Sequence, residues 1–142
     1  MDLKKLFIGG IVASILFFGL GWLIYGNLLA GFLSKHPGEI GTLADRGKDG
    51  ELMLYIILGN VFYGFLLAYI FVRSNVSSAI SGFMTAAVVG GLSGAAVDCL
   101  IYAFTKMLSK TYMAVDVAAS VVMWAIVGAI VAIVINMGKK TA

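Results

Sequence analysis

Charge is what this sequence most lacks. Asp, Glu, Lys and Arg together make up 12% of 142 residues, about half the share usual in soluble domains. A water-soluble fold of this size needs a polar surface that the chain does not carry. Its apolar fraction is 61% and its mean hydropathy +1.04, so the apolar surplus must face lipid. Cysteine is nearly absent too. Cys99 stands alone, which excludes an internal disulfide, and its place in an apolar run marks a small packing residue. His36 is the one histidine, and no Cys/His cluster has metal spacing, so no metal site is expected. There is no Ser/His/Asp set and no glycine-rich phosphate loop after a strand. No catalytic residue, no cofactor and no enzymatic activity are therefore expected. The net charge of +3 does not point to nucleic acid, because the Lys and Arg residues are scattered over segment ends, where they anchor helices at the headgroups.

Long apolar runs are what the chain has in abundance. Crossing about 30 Å of hydrocarbon takes about 20 apolar residues. Four segments meet that length: 6–33, 52–72, 79–105 and 112–137. The third is interrupted only by Asp98 and the fourth only by Asp116. The stretch 34–51 is polar, holds Pro37 and several glycines, and reads as a loop with room for one helical turn. The links 73–78 and 106–111 are short, which makes consecutive helices antiparallel neighbours. The expected fold is all-α: one transmembrane domain over 1–142, an integral membrane four-helix bundle running up-down-up-down. A signal peptide competes for the first segment. That run, however, is nearly twice the length of a signal's apolar core, and no small-x-small cleavage site follows it, so a retained helix is expected.

An even number of spans puts both termini on one side. Lys4, Lys5, Arg73, Lys139 and Lys140 fall on that side, and Lys35, Arg46, Lys48, Lys106 and Lys110 on the other. The positive-inside rule is tied at five against five. The Lys4–Lys5 pair before the first helix favours cytoplasmic termini, in a bacterial inner membrane. The tie leaves open insertion in both directions with antiparallel pairing.

Small residues crowd the third span, where Gly82, Ala86, Gly90 and Gly94 recur every four positions on one helix face. The fourth continues the theme with Ala118, Ala125, Gly128 and Ala132. In lipid, helices associate through close backbone approach and dispersion, which small-xxx-small faces permit. The third helix is expected to pack on two sides. A homo-oligomer is expected if the small surface exceeds what one bundle uses.

The polar residues inside the spans share one depth. At about 1.5 Å per residue, Asn27 lies roughly 9 Å, Asn60 roughly 12 Å, Asp98 roughly 10 Å and Asp116 roughly 6 Å from the loop ends of their helices. All face the side of the 34–51 loop. Tyr25, Tyr55, Tyr63 and Tyr102 fall near the same layer, and the opposite half is nearly all aliphatic. The layer describes a polar cup near one membrane face. Asp98 is its principal candidate. A carboxylate within a span costs about 2.5–3.5 kcal/mol on insertion scales, so it faces the bundle, where it serves either as an ion or proton site or as a bonded tie between helices. Tyr102, one turn away, is placed to donate to it. Asp116 either joins the cup or complements the dipole of the fourth helix. Asn27 and Asn60 either contact a ligand or bond across helices; Tyr63 shares the face of Asn60. Trp22, near the middle of its span, either lines the floor of the cup or fills the core, the core being favoured. His36 is a solvated loop residue at the mouth.

The stretches Phe17-Phe-Gly-Leu-Gly-Trp-Leu-Ile-Tyr25, Leu29-Ala-Gly-Phe32 and Asp116-Val-Ala-Ala-Ser-Val-Val-Met-Trp-Ala-Ile-Val-Gly128 resemble a bacterial membrane family called domain of unknown function 1761. In layout the resemblance covers the whole chain. It implies a four-helix bacterial membrane protein with no assigned activity. Two functional expectations follow from the residues themselves. The first is a homo-oligomeric channel or carrier for a small solute or ion, with Asp98 as its intramembrane carboxylate site. The alternative is a scaffold or accessory subunit in the lipid bilayer, whose polar layer only ties helices together.

Overall fold

A computed structural model of the chain describes residues 2–41 and 50–137. It contains α1 (Leu3–Leu23), a π-helical turn (Ile24–Leu28), α2 (Ala30–Leu33), α3 (Gly50–Arg73), α4 (Ala79–Phe104) and α5 (Lys110–Asn136). Among the described residues four helices are long and apolar enough to cross a membrane: Leu3–Leu28, Leu52–Arg73, Ala79–Phe104 and Lys110–Asn136. The chain is an all-α integral membrane protein with a four-helix bundle. Arg46, Lys48, Lys139 and Lys140, which entered the charge tie, lie outside the described residues, as does the middle of the 34–51 loop.

Local chemistry sets the helix starts. Asp2 caps α1 by accepting from the Lys5 backbone N–H at 3.1 Å, and Ser109 caps α5 by accepting from Tyr112 N–H at 3.1 Å. Ser78 and Ser81 form a reciprocal capping box at the start of α4. Asn75 turns the chain between α3 and α4 at a φ of 51°, a left-handed conformation that asparagine tolerates better than most side chains.

One expectation is corrected at the first span, which is not a continuous helix over 6–33. The α-helical ladder gives way to a π turn in which Leu29 N–H reaches five residues back to Ile24 C=O at 2.7 Å. The reason lies in Gly26 and Asn27. Glycine adds backbone freedom, and the Asn27 amide donates to Trp22 C=O at 3.1 Å, competing with the backbone for a helical acceptor.

The main core lies among α1, α3 and α5, built on Ala13, Phe17, Leu67, Phe71, Val127 and Val131. α1 packs between α3 and α5, and α4 lies against the outer side of α5. Small residues let the backbones close. A β-carbon added to Gly82 would sit 2.5 Å from the Gly128 carbonyl oxygen, and one added to Gly64 would sit 2.6 Å from the Ser14 backbone nitrogen. The first contact joins α4 to α5, the second α3 to α1. The small-residue face of α4, with Gly82, Ala86 and Gly90, is thus used within the chain, against Gly128, Ala132 and Trp124. The expected packing of α4 on two sides is not found among the described residues: the helix it packs against is α5, and Phe83, Met84, Val88 and Leu92 point outward as an apolar face.

A clasp ties the loop after α2 to the loop between α4 and α5. Pro37 and Leu108 form an isolated antiparallel bridge, with Gly38 N–H donating to Met107 C=O at 3.2 Å and Ile40 N–H to Lys106 C=O at 3.3 Å. The Ser109 hydroxyl donates to His36 C=O at 2.8 Å, and the Lys106 ammonium pairs with Glu39 at 2.7 Å. The glutamate holds the Lys106 ammonium above the ordinary lysine range. His36 is therefore not merely a solvated residue. Its ring stacks on Phe32 at 4.3 Å, and its Nδ1 lies 2.9 Å from Phe32 C=O.

Candidate functional site

Tyr112, Asp116 and Ser120 are spaced by four, which places them on one face of α5. Asp98 approaches that face from α4, because Gly91 and Gly94 bring α4 close to Val121 and Ser120. Asp98 is 6% exposed. The Asp116 carboxyl and the Tyr112 phenol of that face lie near it. The Oδ2 atom of Asp98 is buried with no hydrogen-bond partner among the described residues. Two carboxyl groups bond to each other only when one holds a proton, since an ionised carboxylate is acceptor-only. A proton shared by the pair, or a cation taken between them, satisfies this arrangement. A buried oxygen left without either costs about 1–3 kcal/mol or more.

Asp116 is not a dipole complement in the first turn of α5. It is the seventh residue of the helix, and the first turn holds no acid. Tyr25 joins the acids from the π turn. Its hydroxyl donates to Asp116 C=O at 3.5 Å and lies 3.3 Å from the Ser120 hydroxyl. The turn thus helps to place a side chain of the first span beside the acid pair.

A second feature lies beside the first. A cleft of about 440 Å³ opens between α1 and α3, with Met123 of α5 at its back. Its walls are aromatic: Phe17, Phe18, Trp22, Tyr25, Tyr55 and Tyr63. Asn60 lies in the wall, its amide donating to Ile56 C=O of its own helix at 2.7 Å. Trp124 stands behind the cleft, 4.7 Å from the Phe17 ring and 5.3 Å from the Tyr63 ring. Tyr25 therefore has its ring in the cleft and its hydroxyl on α5.

The residues expected in one polar cup divide accordingly. Asp98, Asp116 and Tyr25 come together, and Trp22, Tyr25, Asn60 and Tyr63 line the cleft. Trp22 is not core: it is 66% exposed, whereas Trp124 is 3% exposed and fills the interior. Asn27 does not face the cup but is exposed and bonded to its own helix. Tyr102 does not serve Asp98; it borders a surface pocket at the clasp with Glu39 and Lys110. Among the described residues neither Asn27 nor Asn60 bonds to a neighbouring helix. Depth along a helix does not give the direction a side chain faces, and that is why the layer divides. Ser120 and Tyr112 were not among the expected residues, although their four-residue spacing from Asp116 carries the signal.

No protein-family model, no curated protein and no solved structure matches the chain.

Proposed function

We propose that this membrane protein is a small carrier or channel for a solute or ion, with Asp98 and Asp116 as its proton or cation site. The observation that carries the reading is the buried Asp98 carboxyl, set against a second carboxyl with one oxygen unpartnered among the described residues. Ionisable groups within spans mark ion pathways and proton relays. A scaffold would need only a satisfied tie between helices, which neutral amides supply without this cost. Assembly with a second copy is part of the proposal, since the outward face of α4 has lipid or another chain as its neighbour. So is membership of the bacterial family that the sequence resembles.

The test is infrared difference spectroscopy of the protein in lipid, stepped between about pH 5 and 8, with Asp98→Asn as the reference. The expected result is a carboxyl band that follows the bulk pH and disappears in Asp98→Asn. A carboxyl that ignores bulk pH throughout makes Asp98 a structural tie and favours the scaffold.

A further inference from the structure

The aromatic cleft and the acid-bearing face of α5 meet at one side chain, Tyr25, and neither feature alone explains that. The cleft is of ligand size, about 440 Å³, within the range of small-molecule sites. Half of its twelve lining residues are aromatic, and none carries a charge. Ring faces attract cations, the more so when water is excluded. The charge of the surroundings has the matching sign. Away from their ends the four spans carry Asp98 and Asp116 and no Lys or Arg. In a low-dielectric bundle such uncompensated negative charge favours a cation and disfavours an anion.

We infer that the cleft binds an organic cation with an apolar or aromatic body, a quaternary ammonium being the simplest member, and that Tyr25 couples its occupancy to the Asp98–Asp116 pair. The coupling, though not the binding, rests on the carrier reading above. A cation against the Tyr25 ring shifts a phenol whose hydroxyl touches Asp116 C=O and Ser120. One positive charge entering the cleft is balanced by one proton leaving the carboxyl pair, and no covalent bond changes.

The experiment is calorimetric titration of the full chain in dodecyl maltoside with benzyltrimethylammonium and with its uncharged isostere neopentylbenzene, each corrected for empty micelles. The cation is expected to bind at least about tenfold tighter, or 1.4 kcal/mol, the size of a desolvated cation–π contact. Tyr55→Leu, at an exposed wall of the cleft, lowers the cation's affinity about tenfold and changes that of neopentylbenzene by less than about threefold. A pH indicator in weak buffer reports proton release on binding. In Tyr25→Phe, which lacks the hydroxyl that touches α5, the protons released per cation bound are lost.

Equal affinity for the two compounds makes the cleft an apolar slot and overturns the inference. So does a cation affinity unchanged in Tyr55→Leu. Proton release that survives Tyr25→Phe overturns the coupling. If the cation fails to bind while the Asp98 band still follows bulk pH, the cation site falls and the carrier reading stands. If the band ignores pH but the tenfold preference holds, the carrier reading falls and the cation site stands.

Discussion

Tyr25 of the π turn and Ser120 of α5 touch, their hydroxyl oxygens 3.3 Å apart. Bonds of this kind inside membranes average about 0.6 kcal/mol in double-mutant cycles. Ser120→Ala should cost about that much, Tyr25→Phe up to about twice as much because its hydroxyl also bonds Asp116 C=O, and the double variant about as much as Tyr25→Phe alone. Unfolding in mixed micelles measures all three. At Asp98 the direction differs. Asp98→Asn gives the acid pair an amide donor where Oδ2 now has none among the described residues. The variant should therefore be at least as stable as the parent in the same assay. A loss above about 2 kcal/mol would instead mark the carboxyl as a structural tie. Residue by residue, the sequence shows which side chains are costly in lipid, and Asp98 stands out for that reason alone. It does not show that Asn60 bonds to its own helix while Tyr25 reaches another, because that depends on the azimuth of each helix.

The pairing of α4 with α5 depends on the absence of two side chains. Gly82 and Gly128 meet backbone to backbone, and a β-carbon on either would sit 2.5 Å from the other's carbonyl oxygen. Gly82→Leu should separate the helices and cost about 2 kcal/mol or more, as overpacking does. Gly19 is the control, since a β-carbon there meets nothing within 4 Å. Gly19→Ala should be neutral or gain up to about 1 kcal/mol from helix propensity. Equal losses at the two positions would argue against the crossing. The clasp behaves differently again. The Lys106–Glu39 pair is exposed on both sides, and such pairs contribute little and are screened by salt. Because the Lys106 ammonium is held above its ordinary range, whatever the pair adds is fully present from the neutral range up to about pH 10.4. On the alkaline side it is lost as pH climbs through the raised value. Lys106→Ala should leave the unfolding midpoint unchanged by circular dichroism through the neutral range, with the backbone bridge still holding the loops.

Across the whole molecule the antiparallel order is the feature most directly testable. In a Cys99→Ser background, Ser34→Cys and Lys106→Cys should react with a membrane-impermeant maleimide from one face, and Ser77→Cys from the other. Labelling of all three from both faces in one preparation would show insertion in two directions, the outcome left open by the tied charge count. Labelling of Ser34→Cys and Lys106→Cys from opposite faces would break the topology.

The sequence by itself determined the membrane class, the four spans and the side on which the polar residues lie, because hydropathy and helical rise act along one dimension. It also determined the close approach on α4, since small residues at fourfold spacing share a face in any straight helix. Only the tertiary structure decided that this face is covered by α5, that the first span is interrupted by a π turn, and that the polar layer separates into an acid pair and an aromatic cleft joined at Tyr25. The π turn follows from Gly26 and the Asn27–Trp22 bond, which only the structure displays; the other two outcomes depend on the rotation of each helix about its axis. That rotation is set by packing between segments distant in the chain, which no local pattern encodes.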